Sequence, residues 1–180
     1  MTAADPRLEL IASYIKDVPD FPRPGVIFKD ITPLLACPEA YRACVSALVD
    51  LAPEHIDVVV GMEARGFMFA APVALKLGVG FVPVRKPGKL PRDVYSETFD
   101  LEYGQDTLTV HQDSIQPGAR VFVVDDVLAT GGTIGATAKL IQYLGADLVH
   151  VGVVLELGFL SGREHLTRMG IDHVSALLTS

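Results

Sequence analysis

Two adjacent carboxylates, Asp125 and Asp126, directly follow a run of apolar residues in the stretch VFVVDDVLATGGT, residues 121–133. The apolar run is typical of a strand that is buried on both faces of a parallel sheet. The residues after it are small and lead into a helical pattern that begins near Gly132. Backbone N–H groups at a helix start, with the helix dipole behind them, bind phosphate, and small residues let the phosphate approach the backbone. The stretch therefore predicts a phosphate site at a strand-to-helix turn.

The two carboxylates cannot serve that phosphate, because like charges repel. They must meet hydroxyl groups or a metal on the same ligand, at the carboxyl end of a strand where open α/β sheets bind ligands. A ribose that carries a 5-phosphate satisfies both halves of the turn, and Thr130 and Thr133 add hydroxyl donors. A nucleotide hydrolase would need G-x-x-x-x-G-K-[ST], which does not occur, and G-x-G-x-x-G is absent from this turn. An acidic strand end followed by a generic turn remains the open alternative.

The elements that position these residues alternate along the chain. Strands are predicted in HIDVVVGME, GFVPVRK, DTLTVHQD, ARVFVVDD and DLVHVGVVLEL, and helices in DPRLELIASYIKDV, CPEAYRACVSALVDL, GFMFAAPVALKLG and GGTIGATAKLIQYLGA. Residues 87–104 show no clear period and are predicted to form a long irregular loop. We predict a single α/β domain over residues 1–180, with a mostly parallel central sheet flanked by helices.

The composition excludes several classes of function. The chain has 180 residues, 49% of them hydrophobic, and a net charge of −7, which argues against a broad nucleic-acid surface. Cys37 and Cys44 are predicted to be free thiols in a reducing compartment, and the five histidines show no metal-ligand spacing. The first 22 residues are too polar for a signal peptide, and no apolar run approaches the roughly 20 residues that span a bilayer. We expect a soluble cytoplasmic protein with no membrane or nucleic-acid partner.

Three other stretches carry charged or aromatic groups that could bind a ligand. Arg65, in GMEARG after a predicted strand, offers a planar and permanently charged group that suits phosphate oxygens, and VRKPGKLP concentrates further positive charge. Phe28, in GVIFKDI, could stack on a flat aromatic ring. Each has a plainer interpretation: a surface salt bridge for Arg65, a solvated basic turn for VRKPGKLP, and a core position for Phe28.

The stretch VVDDVLATGGT resembles the phosphoribosyl pyrophosphate motif of the type I phosphoribosyltransferases. DFPRPGVIFKDITPLL, GMEARGF with VRKPGKLP, and DLEYG resemble the members of that family that act on adenine, and the resemblance runs from about Asp20 to Leu166. It implies that adenine and phosphoribosyl pyrophosphate give AMP and pyrophosphate in purine salvage, with Mg²⁺ and in a homodimer. It also implies the type I fold, with a small hood over about residues 19–36 and a lid loop over about residues 87–101.

The resemblance further implies a role for single residues on the sugar side. Asp125 and Asp126 would hold the ribose hydroxyls, and the 5-phosphate would lie on Ala129, Thr130, Gly131, Gly132 and Thr133. The departing pyrophosphate would meet Arg65, Arg85, Lys86 and Lys89, of which Arg65 and Lys89 would assist the chemistry. Mg²⁺ would be held mainly by substrate and water, with Asp125 or Glu63 as further candidate ligands. The Glu63–Ala64 peptide bond would be cis, as it is in some family members.

On the base side, the backbone at Ile27 and Lys29 would recognise adenine and Phe28 would stack on it. Glu102 would lie near N7 of the base and assist loss of its N9 proton. Two alternatives stay open: a relative that acts on xanthine, guanine or orotate, and a regulator that senses phosphoribosyl pyrophosphate without catalysis. Glu102 and the lid favour turnover, and no DNA-binding segment is evident.

Overall fold

The computed structural model describes residues 5–100 and 104–180, and these divide into two compact units. The first unit extends to Ala47 and contains α1 (Pro6–Ser13), β1 (Lys16–Pro19), β2 (Ile27–Asp30), α2 (Thr32–Ala36) and the beginning of α3 (Pro38–Asp50). Asp5 caps α1 by accepting a hydrogen bond from the backbone N–H of Arg7. The cysteines are free thiols, as predicted.

The first predicted helix is correct at its beginning and wrong at its end. The sequence pattern predicts a helix that extends to Val18, but α1 ends at Ser13 and Lys16–Pro19 forms a strand that pairs antiparallel with β2. Pro19 cannot continue a helix, and the Lys29 ammonium lies 2.8 Å from a carboxylate oxygen of Asp17 across the pair. Cross-strand pairing therefore decides the conformation of this segment.

The second unit runs from Leu48 to Ser180 and contains the central sheet. Its elements are β3 (Val58–Met62), α4 (Arg65–Leu77), β4 (Gly80–Val84), β5 (Val94–Asp100), β6 (Gln105–His111), β7 (Arg120–Leu128), α5 (Gly132–Tyr143), β8 (Asp147–Glu156), a short 3₁₀ helix (Gly158–Leu160), α6 (Gly162–Arg168) and β9 (Val174–Thr179). Five strands pair in parallel in the order β4-β3-β7-β8-β9, as the α/β prediction requires.

The strand order places a switch point between β3 and β7. The chain leaves β3 through α4 to β4 on one side, and leaves β7 through α5 to β8 on the other. Ligands bind at the carboxyl ends of strands at such a point, where the two following turns diverge and leave a crevice. The residues after Met62 and after Leu128 therefore meet at one edge of the sheet.

The sequence interpretation of residues 87–104 as an irregular loop is wrong over its described second half. Val94–Asp100 is a strand that pairs antiparallel with β6, from Val94 opposite His111 to Asp100 opposite Gln105. Within VYSETFD, the larger residues Tyr95, Glu97 and Phe99 do alternate with smaller polar residues, as in a strand. The prolines that precede this stretch favoured its interpretation as a loop. In the described part of the chain, none of the helices combines the length and apolar character needed to cross a membrane.

Candidate active site

A cavity of about 220 Å³ lies at the carboxyl ends of β3 and β7. Its lining consists of Glu63, Ala64 and Arg65, which follow β3, and of residues 125–134, which complete β7 and begin α5. Two separate stretches that the sequence analysis singled out therefore form one site. The fold supplies this juxtaposition through the parallel pairing of β3 with β7.

The acid pair forms a buried wall of the cavity. Asp125 is 8% exposed and Asp126 is 5% exposed, and burial raises the pKa of both carboxyls. The neighbouring charge of Asp126 raises the pKa of Asp125 further, whereas the Arg65 guanidinium opposes the rise for both. Arg65 Nε lies 2.8 Å from Asp126 Oδ2. Arg65 only partly neutralises the negative charge of the two carboxylates. A cation, or a ligand whose hydroxyl groups donate hydrogen bonds to them, would stabilise the remaining charge.

Gly66 makes room for one of these carboxylates. A Cβ atom at Gly66 would lie 2.6 Å from Asp125 Oδ1, which is closer than such contacts occur. Asp125 Oδ1 also accepts a hydrogen bond of 2.9 Å from the backbone N–H of Asp126. The absence of a side chain at Gly66 therefore lets the Asp125 carboxyl rest against the first turn of α4.

The opposite wall is the turn into α5, and its conformation depends on glycine. Gly131 has φ +85°, and the helix begins with the hydrogen bond from Gly135 N–H to the Gly131 carbonyl. The N–H groups of a first helical turn have no acceptor within the helix, so an anion can bind them. Thr130 is exposed at the rim of this wall. The predicted residues Ala129, Thr130, Gly131, Gly132 and Thr133 all line the cavity.

The sequence analysis missed Gly162, which supports this turn from behind. A Cβ atom at Gly162 would lie 2.1 Å from the Ala129 carbonyl oxygen, and one at Gly131 would lie 2.9 Å from the Gly162 carbonyl oxygen. The backbone of the first residue of α6 thus packs directly on the turn. No spacing signal in LSGREHL connects it with residues more than 30 positions earlier in the chain.

Glu63 begins the turn after β3 and is held by the end of β4. The Glu63–Ala64 peptide bond is cis, which confirms the expectation for this turn. One Glu63 carboxylate oxygen accepts hydrogen bonds of 3.1 Å from Arg85 Nε and from the backbone N–H of Lys86. The Lys86 N–H and the Arg85 side chain lower the pKa of Glu63.

The basic cluster of VRKPGKLP lies next to the cavity lining rather than in it. Arg85 contacts Glu63, the Lys86 ammonium lies 3.0 Å from Asp106 Oδ2, and Lys89 is exposed. Among the residues that the structure describes, the lining includes none of these three cations. Their binding to pyrophosphate stays a prediction.

The predicted base-binding residues belong to the first unit. Ile27 is exposed on β2, and Phe28 is half-buried with its ring edge-to-face against Phe21 at 5.1 Å. Lys29 pairs with Asp17. Glu102 lies outside the described residues, and its role stays a prediction.

The oxygen atoms of the site suit a metal ion that enters bound to the substrate. Over residues 5–100 and 104–180, no group of three or more His, Cys, Asp or Glu side chains could enclose a metal ion. Asp125 and Asp126 offer carboxylate oxygens in the cavity, and Mg²⁺ is commonly held by one or two carboxylates together with substrate phosphates. The residues therefore fit a Mg²⁺ ion that is bound largely through substrate.

Comparison with known proteins agrees with this geometry. A family model described as a phosphoribosyl transferase domain matches residues 31–166. The adenine phosphoribosyltransferase of Cutibacterium acnes is 68% identical to this chain over 173 residues, which are 96% of this chain and 98% of that protein. The chain belongs to the adenine phosphoribosyltransferase family. It is therefore an enzyme of purine salvage and a pentosyltransferase.

Solved structures of adenine phosphoribosyltransferases share its fold. The enzyme from Thermoanaerobacter pseudethanolicus has a TM-score of 0.92 and 47% identity, with 96% of this chain and 99% of that chain covered. The enzyme from Trypanosoma brucei, solved with AMP, pyrophosphate and ribose-5-phosphate, has a TM-score of 0.87 and 28% identity, with 99% and 82% covered. The type I phosphoribosyltransferase fold is thus confirmed.

Proposed function

We propose that this chain transfers the phosphoribosyl group of phosphoribosyl pyrophosphate to N9 of adenine and releases AMP and pyrophosphate. One observation carries the proposal. A buried acid pair and a helix start built of small residues form two walls of one cavity at the switch point of the sheet. A ribose 5-phosphate needs both walls, because its diol donates hydrogen bonds and its phosphate accepts them.

The walls divide the work of sugar binding between side chains and backbone. Asp125 and Asp126 accept hydrogen bonds from the ribose 2- and 3-hydroxyls, and hydrogen bonds to a charged group are worth about 1.5–3 kcal/mol each. The N–H groups of residues 129–133 donate to the 5-phosphate, and the α5 dipole adds attraction for its charge. Because both walls belong to the strand-to-helix turn, the sugar is held at both ends by one short segment.

Arg65 serves the leaving group. Its Nε lies 2.8 Å from Asp126, so the ion pair fixes the guanidinium beside the diol-binding carboxylates. Arginine N–H groups donate to phosphate oxygens in a fixed planar arrangement, which suits pyrophosphate. Positive charge that is already in place stabilises the charge that develops on the departing oxygen. Arg85, Lys86 and Lys89 extend this positive charge at the end of β4 when substrate is bound.

The chemical step exchanges one bond at the sugar for another. The C1–oxygen bond breaks with its electron pair going to pyrophosphate, and the N9 lone pair of adenine forms the new bond to C1. The N9 proton is lost as that bond forms, and we propose that Glu102 assists this proton loss. We assign adenine binding to the backbone at Ile27 and Lys29 and to the Phe28 ring, whose stacking is worth about 1–3 kcal/mol.

Asp125 or Glu63 would hold Mg²⁺ together with substrate and water, and the ion would neutralise negative charge on the leaving group. We also propose a cytoplasmic homodimer. The free thiols of Cys37 and Cys44 support the cytoplasmic location, because free thiols are typical of proteins in a reducing compartment. The family resemblance supports the dimer.

The test is an assay of the purified chain with phosphoribosyl pyrophosphate, Mg²⁺ and each base separately. We expect AMP from adenine and no comparable product from guanine, xanthine or orotate. Product from another base, with none from adenine, would overturn the proposal. Binding of phosphoribosyl pyrophosphate without turnover of any base would instead favour a sensor.

A further inference from the structure

Strand β5 carries one acidic residue, Glu97, on a face whose other members are aromatic. Along β5, Tyr95, Glu97 and Phe99 are partly buried, and the residues between them are exposed. The rings of Tyr95 and Phe99 pack against the main hydrophobic core. Glu97 therefore lies between two aromatic side chains and has only 12% of its side chain exposed.

Helix α5 satisfies that carboxylate with two side chains. Lys139 Nζ lies 2.6 Å from Glu97 Oε1, and the Tyr143 hydroxyl donates to Glu97 Oε2 over 2.7 Å. Lys139 and Tyr143 are four positions apart and so project from the same face of the helix. The Tyr143 ring also contacts Tyr95, with ring centroids 5.9 Å apart. These contacts lower the pKa of Glu97, Lys139 contributing most.

The same strand reaches the phosphate turn at its other end. A Cβ atom at Gly132 would lie 3.0 Å from Phe99 Cδ2, so the Phe99 ring packs on the first residue of α5. Strand β5 thus lies along α5, with Tyr95 near the helix end and Phe99 at its beginning. A shift of one residue along the strand would turn Glu97 outward and move Phe99 away from Gly132.

We propose that Glu97 is a positioning residue for phosphoribosyl pyrophosphate. By binding Lys139 and Tyr143 it fixes the position of β5 along α5, and it thereby keeps Phe99 against Gly132 and the phosphate turn in its binding conformation. Glu97 does not touch the substrate. This role rests on the proposed function of the phosphate turn.

The test compares steady-state constants for both substrates in matched variants of the full chain. Glu97→Ala removes both contacts, and we expect the KM for phosphoribosyl pyrophosphate to rise about tenfold while the KM for adenine stays within about twofold. Glu97→Gln can still bond both partners and should restore the KM to within about threefold of the original. Tyr143→Phe removes one contact and should raise it about threefold.

The matched control is Thr98→Val. It removes the exposed hydrogen bond between the Thr98 and Thr107 hydroxyls, on the opposite face of the same hairpin, and keeps the β-branched shape. We expect both KM values to stay unchanged. Equal effects of Glu97→Ala and Thr98→Val, or equal rises in both KM values, would overturn the proposal. If Glu97→Ala does not fold, Tyr143→Phe tests the proposal in its place. An unchanged KM for phosphoribosyl pyrophosphate in Tyr143→Phe would then overturn the positioning role of Glu97.

Direct titration of phosphoribosyl pyrophosphate separates this inference from the proposed function. If the unaltered chain makes no AMP, the proposed function fails, and the titration alone then tests the role of Glu97. If the unaltered chain is active and Glu97→Ala binds phosphoribosyl pyrophosphate as tightly, only the positioning role fails.

Discussion

The close approach of Gly66 to Asp125 offers a sharp test of the acid pair. In Gly66→Ala the new Cβ would lie 2.6 Å from Asp125 Oδ1, whereas ordinary contact begins at 3.4 Å. The carboxylate must therefore move by about 0.8 Å. A displacement of this size disrupts hydrogen bonds that a charged acceptor makes with the ribose diol, which are worth about 1.5–3 kcal/mol each. We expect kcat/KM for phosphoribosyl pyrophosphate to fall about 10- to 150-fold.

The same substitution should change stability much less. Alanine is favoured over glycine in a helix by up to about 1 kcal/mol, while overpacking costs about 1–3 kcal/mol. We expect the free energy of unfolding to fall by about 0–2 kcal/mol in urea titrations. The fall in kcat/KM would thus be much larger than any decrease in the fraction of folded protein could explain.

Gly135→Ala is the matched control. Its Cβ would lie 2.8 Å from Met169 Sδ, at the far end of a flexible and partly exposed side chain that can move aside. We expect near-normal kcat/KM in this variant, measured in the same assay. Full activity in Gly66→Ala would refute the assignment of Asp125 to the sugar.

Three further predictions concern other residues that the sequence analysis singled out. Asp126→Asn should lower kcat/KM for phosphoribosyl pyrophosphate about 10- to 100-fold and leave the KM for adenine unchanged in steady-state assays. Phe28→Ala should raise the KM for adenine about 5- to 100-fold and spare the other substrate, and an unchanged adenine dependence would contradict stacking. The pKa of Glu63 is lowered below its usual 4.5, so the original chain should be more stable than Glu63→Gln at pH 6, and urea titrations should show the difference vanishing as pH falls through the folded-state pKa.

Local sequence signals were sufficient for most of the central sheet. The apolar run Val121–Val124 predicts the buried strand β7, and the strand continues to Leu128. Gly78 ends α4 with φ +71°, as its place after the apolar helical pattern indicated. The acid pair and the glycine-rich turn are adjacent in sequence, so their proximity in the site needed no tertiary information.

Contacts between distant segments could not be predicted in this way. Glu63 and Arg85 meet because the parallel register of β3 and β4 places Met62 beside Val84. Gly162 reaches Ala129 only after β8 returns the chain to the same edge of the sheet. Neither register nor return path is encoded in a short window of residues.

A crystal structure of the chain with AMP tests the central claim most directly. We predict the 5-phosphate on the backbone N–H groups of residues 129–133, with the ribose hydroxyls within hydrogen-bonding distance of Asp125 and Asp126. A nucleotide bound with its phosphate at any other place, or with its diol away from the acid pair, would contradict the account.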